Sequence, residues 1–311
     1  MSIAIRETFG REVVKLAKKN KKILALTADL KNATKIEYFF NEFPLRSFEI
    51  GIAEANCVGI ATGLALSGYR PIVTSFGSFL TGKNVEIRVS TAFNNAPVIL
   101  VGTHGGLIGP DGPTQSGLQD ISVMRSIPNI KVFQPATNIE TAAILKHCLK
   151  INDPIYLRIS RQANKEYLKK DYVFKEGQPV EIIKDYRDAV LFCSGNTVER
   201  CVDAANLINK KFKIKVGVVN IPSIKPLNSN ALCKILNNTK LAICFEDHST
   251  YGGLGSAIIE SVSKFRIKTP VILRGINVFT ESGSINDLYK KYKLDEKSIF
   301  KIVLKEIKNY R

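Results

Sequence analysis

The stretch RPIVTSFGSFLTGKNVEIRVSTAFNNAPVILVGTH, Arg70–His104, reads as strand, helix, strand. RPIVTSF and APVILVG are apolar runs of strand length, and GKNVEIRVSTAFNN between them has helical spacing. A strand that reaches the next through a helix runs parallel to it, and a parallel sheet is covered on both faces. Upstream, REVVKLAKKN is an amphipathic helix, KILALTAD a buried strand, SFEIGI a strand and AEANCVGIATGLALSG a helix. Downstream come the strand KVFQPA, the helix NIETAAILKHCLK and the strand PIYLRIS.

A second series follows. AVLFCSG, KVGVVNI, LAICFED and TPVILRGI are strands, separated by helices at 197–209, near 228–236 and after YGGLGS, and DLYKKYKLDEKSIFKIVLKEIKNY closes as a helix pair. The fold class is therefore α/β: two three-layer α/β/α domains with mainly parallel sheets. The expected domains are residues 1–165 and 187–311. Between them the pattern is lost and charge rises, so 166–186 reads as a linker. A chain of 311 residues is long enough for two such domains.

The net charge is +17, from 45 Lys and Arg against 28 Asp and Glu. Lysine is spread along the chain without a dense basic block or aromatic–basic interleaving, so nucleic acid is not the expected partner. Anionic substrates or an acidic partner subunit suit the charge better. Six cysteines lie scattered in apolar context with no C-x-x-C pair, which implies buried thiols. No apolar run approaches the ~20 residues of a membrane span. MSIAIRETFGREVVKLAKK lacks an apolar signal core, and a cytoplasmic location is expected.

In open α/β sheets, ligands bind beyond the carboxyl ends of the strands. That rule selects Thr27–Asp29, Glu54, Thr74–Phe79, Thr103–Gln119 and Ser160–Gln162. Glu54 is the one charge in GIAEANCVGIATGLALSG. It falls in the first turn of a helix, where the dipole favours the anion, while its apolar neighbours favour the neutral acid. It serves either chemistry or the helix terminus. THGGLIGPDGPTQSGLQD is a long loop of five glycines with His104 and Asp111, either functional or a rigid connection. Phe76 and Phe79 in SFGSF suit plain core or a wall for a flat heterocycle. Arg158 and Arg161 in LRISRQ suit an anionic substrate or an interface salt bridge. There is no G-x-x-x-x-G-K-[ST] loop, no GxGxxG after a strand and no GxSxG elbow.

Those same stretches resemble the C-terminal part of transketolase. They are GIAEANCVGIATGLALSG, SFGSFLTGKNVEIRVS, THGGLIGPDGPTQSGLQDISVMRSIPNIKVFQPAT and LRISRQ, followed by FEDHSTYGGLGSAI and VFTESGSINDLYKKY. The resemblance covers nearly the whole chain, in order. It implies a pyrimidine-binding domain and a transketolase C-terminal domain. The G-D-G motif of the family's N-terminal domain does not occur here. That domain holds the diphosphate of thiamin diphosphate through a divalent metal, Mg2+ or Ca2+. The resemblance therefore implies a small subunit of a split transketolase, working with a separate N-terminal subunit, with α2β2 assembly and self-association through both domains.

By resemblance, Glu54 lies against a nitrogen of the cofactor's aminopyrimidine and exchanges a proton with it. Phe76 and Phe79 form the aromatic pocket, and Asp29 stands near the cofactor. His104 and Asp111 contact sugar hydroxyls, and Arg6 and Arg161 grip a sugar phosphate. The sequence departs from the family's pattern at three places. Gln115 stands where many members have a second histidine, Ala33 where some have a phosphate-contacting serine, and Gly82 where some have a pocket tyrosine. Three other readings stay open. One is a deoxyxylulose phosphate synthase-like subunit, one a 2-oxoacid dehydrogenase beta-type subunit, and one a non-catalytic regulatory or scaffold subunit. The retained Glu54, Phe76, His104 and Asp111 speak against the last.

Overall fold

A computed structural model describes residues 3–310. The strands are β1 (Ile23–Thr27), β2 (Ser47–Glu49), β3 (Arg70–Phe76), β4 (Ile99–Thr103), β5 (Lys131–Phe133), β6 (Ile155–Ile159), β7 (Val180–Ile183), β8 (Ala189–Cys193), β9 (Val216–Asn220), β10 (Ser223–Lys225), β11 (Ala242–Phe245) and β12 (Val271–Arg274). The longer helices are α1 (Ile5–Lys19), α2 (Glu54–Leu66), α3 (Asp120–Ser126), α4 (Asn138–Cys148), α5 (Thr197–Lys211), α6 (Ser229–Asn237), α7 (Leu254–Val262), α8 (Ile285–Lys291) and α9 (Glu296–Asn309).

The first sheet has the order β10-β5-β6-β4-β3-β1-β2, and the second β12-β11-β8-β9-β7. All pairs are parallel except β10 with β5 and β7 with β9. The apolar strands seen in the sequence are the buried centres: every residue of β1, β4, β6, β8 and β9 is buried. Alternate residues feed opposite faces. Ile99 and Val101 of β4 join Phe9 of α1 and Ile144 of α4 in one core. Val98 and Leu100 join Val58 and Ala61 of α2 in another, which continues without a break into Phe192 and Ile258 of the second unit.

Three features were not visible in the pattern. The stretch 166–186 is packed: Phe174 is 5% exposed and β7 forms an edge of the second sheet. Residues Ser223–Lys225 of the second half cross over to pair with β5, a three-residue strand too short to carry a period. The helix expected over GKNVEIRVSTAFNN is α-helical at Asn84–Glu86 and continues as a π-helix over Ile87–Ala92. The six cysteines are buried and free. Among the described residues no helix is long and apolar enough to cross a membrane.

A buried ion cluster fastens the two sheets together. Arg158 on β6 is 1% exposed. It donates through Nε to Asp120 Oδ2 and through a terminal nitrogen to Asp247 Oδ1, both at 2.8 Å, and its other terminal nitrogen donates to the Gly117 carbonyl at 2.9 Å. Tyr156 donates to Asp120 at 2.7 Å and Tyr289 to Asp247 at 3.0 Å. Burial alone would depress the guanidinium's pKa, but the two carboxylates outweigh it and hold it above its ordinary value. Arg158 is therefore an interface salt bridge and unavailable to a substrate. Replacing Arg158 by Met leaves two buried carboxylates unpaired, and the expected loss is about 3–5 kcal/mol. Urea denaturation of the variant measures it; a loss below about 1 kcal/mol would show that the cluster does not secure the fold.

Candidate active site

The ends of β1, β3, β4 and β6 open on one side of the first sheet. Glu54 opens α2 there and is 8% exposed. Among the described residues its carboxylate accepts one hydrogen bond, from Ser75 Oγ at 3.3 Å. Ser75 is the neighbour of Phe76, so the acid and the aromatic turn share one strand end. Phe76 and Phe79 stack with centroids 5.3 Å apart at 27°. Phe76 also lies 4.1 Å from the His104 ring. Both phenylalanines are only partly buried, so the wall keeps accessible surface.

The cationic side is built from α1 and the end of β6. Arg6 donates to the Ala33 carbonyl at 2.8 Å and lies 3.4 Å from His104 Nε2. Its Nε is buried without a partner. Arg161 donates to the Ile108 carbonyl at 3.2 Å and pairs with the Asp111 carboxylate. Burial, and then the charge of Arg161, lower the Arg6 pKa. Two guanidinium groups that repel each other across a partly open site are relieved by an anion between them. Burial first, then Arg6 and Arg161, push the His104 pKa down to about 3.

The glycine-rich loop is held against this wall. Ser78 Oγ donates to the Gln115 carbonyl at 2.9 Å, Thr114 Oγ1 donates to the Gln115 side chain, and Gly106 N donates to the Gly117 carbonyl at 2.9 Å. Gly106 has φ +84°, and a Cβ there would overlap Asp247. Only glycine lets the loop pass between the wall and the ion cluster.

The structure thus connects Glu54, Phe76, Phe79, His104, Arg6, Arg161, Asp111 and Gln115 through short contacts or shared strand ends. Asp29 stands apart. It is exposed with φ +57°, its N–H donates to Glu49 Oε1 at 2.7 Å, and its carboxylate meets none of the others among the described residues. Ser75, Ser78 and Thr103 were not singled out in the sequence. They lie inside the strand-end stretches selected there, and only the packed strand ends distinguish them from ordinary serines and threonines.

These features define a two-unit α/β chain with an acid, an aromatic wall and an arginine pair at the carboxyl end of one sheet. The model for the transketolase pyrimidine-binding domain matches residues 1–166, and that for the transketolase C-terminal domain matches 178–299. The chain belongs to the transketolase family. It is 31% identical to one subunit of the apulose-4-phosphate transketolase of Phocaeicola vulgatus, over 98% of each chain. It is 32% identical to 1-deoxy-D-xylulose-5-phosphate synthase of Caldanaerobacter subterraneus, over 98% of this chain but 49% of that protein. The chain therefore spans about half the length of such synthases. A solved structure described as a split gene transketolase, inactive beta4 tetramer, superposes with a TM-score of 0.90 at 31% identity, covering all of both chains.

The depressed His104 pKa gives a pH signature. Between about pH 6.5 and about pH 3 the unfolded chain takes up a proton that folded His104 refuses, so this group weakens folding as pH falls through that window. His104→Asn should remove that component. The check is the urea midpoint of both proteins against pH. Curves that stay parallel from neutral to acid pH would show that His104 binds its proton normally in the fold.

Proposed function

We propose that this chain is the C-terminal subunit of a thiamin-diphosphate-dependent transketolase, moving a two-carbon ketol unit from a ketose or its phosphate to an aldose. The observation that carries this reading is Glu54. It is a buried acid at the start of α2, beside an aromatic wall with accessible surface, in a chain that aligns end to end with one subunit of a two-chain transketolase relative. The residues present fit the pyrimidine half of the cofactor: a flat ring needs a wall, and its ring nitrogen needs a protonatable partner. The orphaned Arg6 Nε fits an anionic substrate group.

Thiamin diphosphate supplies a thiazolium carbon that loses a proton and adds to a ketose carbonyl. Glu54 holds and returns a proton at the pyrimidine nitrogen, which is general acid–base work. Phe76 and Phe79 cover one face of that ring, and Asp29 completes the edge. Arg6 and Arg161 hold the substrate phosphate by charge-assisted hydrogen bonds. Arg6 is aimed by the carbonyl of Ala33. Asp111, His104 and Gln115 orient hydroxyls. The diphosphate and its Mg2+ or Ca2+ belong to a separate N-terminal subunit, in an α2β2 assembly. Ile52, two residues from Glu54, is 83% exposed and Phe93 81% exposed. Large apolar side chains exposed near a half-built site support a covering chain.

A second reading has its own support in the 32% identity to the deoxyxylulose phosphate synthase. The two are separated by substrate: a ketose donor for transketolase, pyruvate for the synthase. The assay is ketol transfer from xylulose 5-phosphate to ribose 5-phosphate with thiamin diphosphate and magnesium, using this chain alone and mixed with the candidate N-terminal chain of the same source. Activity only in the mixture is expected. Turnover of pyruvate in place of the ketose would favour the synthase reading, and activity of this chain alone would overturn the split. In the active mixture Glu54→Gln should lower turnover by at least ~100-fold. Near-normal turnover would remove Glu54 from the mechanism.

A further inference from the structure

Thr103 and His104 end β4, and their hydrogen bonds leave the imidazole one neutral form. Thr103 Oγ1 lies 3.3 Å from the Ser75 carbonyl and 2.9 Å from His104 Nδ1. The carbonyl can only accept, so the single hydroxyl proton goes there. The hydroxyl lone pair then receives a proton carried by Nδ1. The opposite side of the ring gives the same answer independently. Nε2 lies 3.4 Å from a terminal nitrogen of Arg6, and a guanidinium has only donors. A proton on Nε2 would face another N–H, whereas a lone pair accepts one. The ring is 2% exposed, is covered by Phe76 and has φ +57° at its backbone, so its orientation is fixed by packing as well.

We propose that Thr103 is a positioning residue that holds His104 as the neutral Nδ1–H tautomer, making Nε2 an obligate hydrogen-bond acceptor in the site. Any group that replaces Arg6 at Nε2 must then bring a proton. A sugar hydroxyl does; a carbonyl oxygen or a fully ionised phosphate does not. His104 accordingly selects the polyol part of a substrate, and Arg6 and Arg161 take the anion. This division between hydroxyl and anion rests on the transketolase reading. The tautomer rests only on the chain's own hydrogen bonds. The low pKa of His104 agrees with it, since no third state competes near neutrality.

The test is made on the chain itself. In 15N-labelled protein at about pH 7, long-range proton–nitrogen correlations of the imidazoles separate protonated from bare ring nitrogens, and loss of signals in His104→Asn assigns the residue. His104 should show a protonated Nδ1 and a bare Nε2, unchanged down to about pH 5.5. Thr103→Ser keeps the hydroxyl and should keep this pattern. Thr103→Val, of similar size, should lose it and spread His104 over both tautomers. A wild-type ring protonated on Nε2 overturns the proposal, and so does a Thr103→Val ring that stays wholly Nδ1–H. If Thr103→Val fails to fold, the wild-type and Thr103→Ser spectra still decide. In the active mixture Thr103→Val should raise KM about tenfold, the scale of one hydrogen bond, with kcat much less affected and Thr103→Ser near normal. The expected tautomer without any ketol transfer supports this proposal and counts against the transketolase reading alone.

Discussion

Arg158 is the constraint on which the rest of the molecule is arranged. One guanidinium, 1% exposed, answers a carboxylate from each half of the chain and a carbonyl from the loop between them. Taking that charge out of water is costly, and it is compensated only when Asp120, Asp247 and Gly117 are all in place. The three partners come from α3, from the segment after β11 and from the glycine-rich loop. Satisfying them fixes the angle between the two sheets and the path of the loop at once. The hydrophobic core that runs through both units supplies the non-directional attraction, and the ion cluster supplies the register.

The site inherits its geometry from that cluster. The loop beyond β4 passes the guanidinium so closely that Gly105 and Gly106 leave no space for a side chain, and it then presents Asp111 and Gln115 to the open side. Asp111 is taken up by Arg161, and Gln115 is tied to the Phe76–Phe79 turn through Ser78. Each functional side chain is thus held by a strand end or by a loop pinned to one, which gives the precision that a free loop lacks. The electrostatics divide the site into two parts. Glu54 and the aromatic wall make a dry, nearly uncharged corner. Arg6 and Arg161 make a cationic one, with His104 between them kept neutral by their field.

Much of this was legible in the residues. RPIVTSF and APVILVG had to be parallel strands because both faces are apolar, and Glu54 stood out because nothing near it in the chain is charged. The glycine-rich loop was marked by its own turn residues. Other features were illegible for identifiable reasons. Arg158 and Arg161 lie three residues apart in one short stretch and look alike. One faces the interface and is sealed, and the other faces the site and is half open. Nothing local separates them, because the difference is made by Asp120, Asp247 and Asp111, which are remote in sequence. The pairing of Ser223–Lys225 with β5 links the two halves of the molecule, and three residues hold no period from which to read it.

The sequence by itself determined the alternation of strands and helices, the side of the first sheet on which a ligand would lie, and the family to which the motifs belong. These follow from periodicity and residue type, which are local. Only the tertiary structure decided which arginine is structural, how residues 166–186 pack, and the protonation form of His104. Each of these depends on partners brought within about 3 Å from distant parts of the chain, where burial and hydrogen-bond direction set the charge state.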